Sequence, residues 1–171
     1  MRKTGFKHTV LAAMFLSMGL ILPLFTSQIK EIGDSLLPMH IPIMLCGLIC
    51  GGNYGFITGL MLPFVRSMIF GMPPIYPNAV WMAAELAVYG LVIGITYKKS
   101  KKIYLSLIFA MLSGRIVWGI VKAILLCLRG GVFGFAMFIS GGFVDALPGI
   151  IIQLILIPAI MRVIEKRRKN S

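Results

Sequence analysis

Apolar residues fill this chain in long stretches, separated by short clusters of glycine, proline or lysine. Six such stretches stand out, at 7–27, 36–50, 54–70, 78–97, 103–128 and 142–161. Most approach the roughly 20 residues that a helix needs to cross bilayer hydrocarbon. Helix is also the form in which a single spanning segment satisfies its own backbone groups. The pattern predicts an all-α integral membrane protein, a compact bundle of six transmembrane helices in a single domain over 1–171. The second stretch is short and opens on Pro38 and Pro42, which predicts a tilted or irregular start. The run from Thr9 to Phe25 behind Lys7 has no small-x-small cleavage site after it, and is read as a retained first helix.

Composition agrees with this reading. With 58% hydrophobic and 13% charged residues, the chain has too little polar surface to cover a water-soluble globule of 171 residues. Its net charge of +12 would point to nucleic acid on a soluble surface. The basic residues instead gather at segment ends: Arg2, Lys3 and Lys7; Lys98, Lys99, Lys101 and Lys102; Arg162, Lys166, Arg167, Arg168 and Lys169. With both termini cytoplasmic, each cluster falls on the inner side, as the positive-inside rule requires, so topology explains the charge and no nucleic-acid partner is expected. Cys46, Cys50 and Cys127 lie in apolar stretches without CxxC spacing and read as packing residues. His8 and His40 sit in separate segments, so no metal centre is expected. No GxxxxGK[ST], HExxH or GxSxG motif occurs, so the chain has no ATP-hydrolysing loop of its own and none of these catalytic signatures.

Candidate chemistry comes from polar residues set in the apolar stretches, where they are costly and usually functional or paired. In the fourth segment Asn78, Trp81, Glu85 and Tyr89 share one face at about 100° per residue. Ala79, Ala83, Ala87, Gly90 and Gly94 form a small face suited to close helix contact. In the fifth, Arg115, Trp118, Lys122 and Arg129 make a cationic ladder, with Lys122 about 10 Å further along than Arg115 at 1.5 Å per residue. Depth places His40, Arg66, Glu85 and Asp145 in the same outer half. Arg66, Arg115 and Lys122 against Glu85 and Asp145 leave one surplus positive charge, or two with Arg129, which a carboxylate ligand would fill. Two readings stay open for Arg115 and Glu85: a structural ion pair, or part of a ligand site. The glycine- and phenylalanine-rich 129–141 loop is expected to pack as a lid.

The small size, six segments, basic inner loops and the run from Met39 to Gly52, followed by Gly55 to Arg66 and Gly71-Met-Pro-Pro, resemble the substrate-binding S components of energy-coupling factor (ECF) vitamin transporters. The resemblance implies a subunit of the bacterial plasma membrane that is not an enzyme. It would capture a vitamin from outside and then topple on a membrane-embedded T subunit, driven by two cytoplasmic ATPases. It also implies that the chain binds no cofactor or metal, with ATP used by the partners. Similar proteins dock the T subunit through an Ala-x-x-x-Ala face on the first helix. Here Ala13-x-x-x-Ser17 matches with Ser for the second Ala, and Ala12 and Gly19 widen the small surface. By the same resemblance pantothenate is the first candidate, with folate, niacin and biotin open, and Trp81, Trp118 and Tyr76 would cover its apolar part. Two alternatives rest on the residues alone. One is a membrane enzyme acting on a lipid phosphate, with Glu85 or His40 as base. The other is an assembly protein whose basic loops bind anionic lipid.

Overall fold

The computed structural model describes residues 2–26, 37–131 and 133–169. The chain folds as α1 (Arg2–Thr26), α2 (His40–Cys50), α3 (Gly52–Phe70), α4 (Val80–Ser100), α5 (Ile103–Cys127), α6 (Phe135–Ile139) and α7 (Leu147–Lys169). Two π-helical turns, Ile75–Ala79 and Ser140–Val144, lead towards α4 and α7 respectively. The stretch between the first two apolar segments, which carries Lys30, Glu31 and Asp34, lies outside the described residues.

The chain is a multi-pass helical membrane protein, but its helices are not six equal spans. Among the described residues, four helical stretches are long and apolar enough to cross a membrane: Gly5–Phe25, Ile75–Ser100, Ile103–Cys127 and Leu147–Arg167. α2 has 11 residues, about 16 Å of helix and roughly half the hydrocarbon thickness. It can be short because it is sheathed by α1, α3, α4 and α7, with nine of its residues buried. α3 has the length, at 19 residues, but Gly52, Asn53 and Arg66 dilute its apolar character. The sixth predicted segment resolves into a π-turn followed by α7, and the expected lid loop contains α6.

Two cross-links fix the basic end of the bundle. Tyr54 of α3 donates its hydroxyl to the Gly5 carbonyl at 3.3 Å, and the Tyr54 ring stands edge-on to His8 of α1. Tyr97 of α4 donates its hydroxyl to Glu165 of α7. Gly52, at the start of α3, packs against Leu91 and Ile95 of α4, so the start of α1, the start of α3 and the ends of α4 and α7 share one end, and His40, at the start of α2, belongs to the other half.

The predicted small face of α4 is where the bundle closes most tightly. Ala79, Ala83, Ala87, Gly90 and Gly94 are all buried. A Cβ at Gly55 would lie 2.6 Å from the Gly90 carbonyl oxygen, and one at Gly52 would lie 2.7 Å from that of Leu91. These approaches are between backbones, so a methyl group cannot be absorbed by a rotamer change. Gly90→Ala, whose Cβ would run into the Gly55 backbone, should cost about 1–3 kcal/mol, the usual range for overpacking. The loss would appear as a lower melting temperature of the detergent-purified protein. Gly5→Ala, with nothing within 4 Å of its added carbon, should melt as wild type.

Candidate ligand-binding site

Glu85, on the second turn of α4, is 2% exposed and sits at the centre of a buried polar cluster. Its Oε1 lies 3.0 Å from Arg115 Nη1 and 3.4 Å from His40 Nε2. Arg115 is the midpoint of the 25-residue α5, and the shortness of α2 brings His40 down to that level. His40 stacks edge-on against Tyr89, one turn below Glu85, with ring centroids 5.1 Å apart. The Tyr89 ring rests against Gly114, where a Cβ would stand 2.9 Å from its Cε2. Oppositely charged groups in this setting hold each other in place, because an unpaired one would carry its full desolvation cost. The cluster is still incompletely bonded. Arg115 Nε and Nη2 and His40 Nδ1 are buried without a hydrogen-bond partner among the described residues.

About two turns further along α5, half-buried Lys122 stands among aromatic rings. Its Nζ is 4.5 Å from the Trp118 ring centroid, 5.4 Å from that of Trp81 and 5.8 Å from that of Phe133. Such rings stabilise the ammonium through their quadrupoles without neutralising it. Trp118 also receives the Arg115 guanidinium, 6.0 Å from its centroid, so one indole joins the two cations. The stretch after α5 closes over this indole. Phe138 of α6 packs on Trp118 and fits against Gly119, where a Cβ would come within 2.5 Å of the Phe138 ring, and Gly141 passes beside Trp118. Phe143 stacks edge-on to Phe138 at 5.8 Å. At the rim the Arg129 guanidinium covers the Tyr76 ring at 4.8 Å, with both residues exposed.

The structure thus brings His40, Glu85 and Arg115 into one cluster, and Trp81, Trp118 and Lys122 into a second beside it. Arg66 and Asn78 lie elsewhere. Arg66 is turned toward α1, where its Nη1 donates to the Leu20 carbonyl at 3.3 Å and its guanidinium covers Phe70. Asn78 is half-buried in the π-turn before α4. Asp145 is exposed at the end of the second π-turn, close enough to Lys122 for the two charges to interact. On α1, Ala13 and Ser17 face outward, and the Ser17 hydroxyl donates to the Ala13 carbonyl at 3.0 Å, so the serine presents little unpaired polarity. Ala12 is turned inward against Cys46 and Cys50, and Gly19 against Leu62. Sequence reasoning passed over Phe133 and Phe138, whose positions depend on the fold of the lid. It also passed over Gln153 of α7, 1% exposed and marked in the sequence only as a lone amide in an apolar run.

A family model described as "ECF transporter, substrate-specific component" matches residues 7–161. No curated protein and no solved structure matches the chain. With nearly the whole bundle inside the match, the chain belongs to the substrate-specific components of ECF transporters, membrane subunits that bind a small molecule and work with T and ATPase subunits and are not enzymes.

Proposed function

We propose that this chain captures a small vitamin bearing one carboxylate, with pantothenate as first candidate, between α4, α5 and the α6 lid. The carrying observation is Lys122, half-buried among Trp81, Trp118 and Phe133. The Arg115 charge is met by Glu85, and Arg66 is engaged with α1. Lys122 is then the cation best placed for a carboxylate, with aromatic faces ready for the ligand's apolar part. One such cation suits a monocarboxylate better than the two carboxylates of folate.

In this reading the site opens outward, both termini are cytoplasmic and the protein resides in the bacterial plasma membrane. The exposed Ala13 and Ser17 face of α1 meets the T subunit, and toppling delivers the ligand. Two cytoplasmic ATPases consume the ATP, and the chain itself holds no cofactor. The test is binding of radiolabelled pantothenate to the detergent-purified chain, with niacin, biotin and folate as competitors. Saturable submicromolar binding is expected. If folded protein binds none of the four, the carboxylate reading fails.

A further inference from the structure

Gln153 is a polar side chain that the ion-pair cluster does not account for. It is the seventh residue of α7, 1% exposed, and its Nε2 is buried without a hydrogen-bond partner among the described residues. Ile150, Ile157 and Met161, on the same face of α7, belong to or pack on the central core, so the amide points into the bundle. α7 packs against α2 and α5, the helices that carry His40 and Arg115. The unpartnered atoms that these three helices direct inward are His40 Nδ1, Arg115 Nε and Nη2, and Gln153 Nε2. The arginine and amide nitrogens are donors, and a neutral imidazole nitrogen can be one. An interior rarely retains several unmet donors unless something supplies acceptors.

Resting on the vitamin reading above, we infer that Gln153 is a ligand-contacting, specificity-determining residue. Its amide donates to a neutral oxygen at the end of the ligand remote from the carboxylate. Lys122 lies seven residues beyond Arg115, about 10 Å at the helical rise. The site therefore has a cationic aromatic pole at Lys122 and a donor-rich pole at Arg115 and Gln153. A ligand that uses both is elongated, with a carboxylate at one end and carbonyl or hydroxyl oxygens at the other. Pantothenate has that form. Niacin, whose carboxylate sits directly on its ring, is too compact to reach both poles.

The experiment compares wild type with Gln153→Met, which keeps the side chain's length without its donor, and with Gln153→Asn, which withdraws the amide by one methylene. Radiolabelled pantothenate binding and ligand-free melting in detergent are measured for each, with Lys122→Met alongside. Removing an unpartnered donor leaves no native hydrogen bond to lose, so Gln153→Met without ligand should melt no lower than wild type. Its affinity for pantothenate should fall about tenfold, as should that of Gln153→Asn. Unchanged affinity in both variants overturns the inference, whether or not melting changes. If Lys122→Met weakens binding while both Gln153 variants bind as wild type, only the role of Gln153 fails. If wild type binds no pantothenate, that ligand and this inference fail together.

Discussion

Glu85→Ala should destabilise the protein by about 3–5 kcal/mol, the range for breaking a buried ion pair from one side. Glu85 and Arg115 are 2% and 4% exposed, so the substitution leaves a guanidinium at the midpoint of α5 with its counter-ion gone. A surface pair of the same geometry would cost no more than about 1 kcal/mol. Glu85→Ala combined with Arg115→Leu should recover most of the lost stability, because it removes the stranded charge instead of the pair's attraction. Thermal unfolding of the four proteins in one detergent makes the cycle. Additive losses, with the double variant the least stable, would show that each side chain is held by separate contacts. Ligand binding should stay weak in the double variant, since the Arg115 Nε and Nη2 donors are gone. For the same reason Arg115→Ala is a poor binding control on its own, because it confounds folding with recognition.

The parts of this arrangement that were legible in the sequence are those set by helical periodicity. Trp81, Glu85 and Tyr89 fall on one face of α4 and Arg115, Trp118 and Lys122 on one face of α5 in any regular helix, and the fold only had to turn those faces together. The alanine and glycine face of α4 was legible for the same reason. Depth was a weaker guide. It could not say that α3 turns Arg66 toward the Leu20 carbonyl of α1. Asn78 falls in the π-turn that precedes α4, so the regular 100° spacing that groups Trp81, Glu85 and Tyr89 does not extend to it. Four stretches among the described residues have the length and apolarity of a span, and the second segment is short, as its sequence predicts, because an apolar run can be buried by neighbours as well as by lipid. α2 is the case in point, and its shortness is what carries His40 to Glu85. Gln153 stayed unread because a single amide has no periodicity.

Lys122→Met should weaken pantothenate binding by about tenfold to a hundredfold, the equivalent of a charge-assisted hydrogen bond, while leaving the melting temperature close to wild type. The two effects separate because Lys122 is only half-buried and its observed contacts are with ring faces, each worth about 0.5–1 kcal/mol at a partly exposed site. Methionine keeps the unbranched stem against Trp118 and removes only the ammonium, so packing of the lid should persist. Lys122→Arg should retain part of the affinity, since the charge remains but a planar fork replaces a compact donor among the rings. A structural role for Lys122 predicts the reverse order: a lower melting temperature for Lys122→Met and unchanged affinity at equal amounts of folded protein. Salt offers a second check. A carboxylate held at a partly exposed ammonium should bind more weakly as ionic strength rises, whereas the Glu85–Arg115 pair, enclosed by the bundle, should lose little stability over the same range.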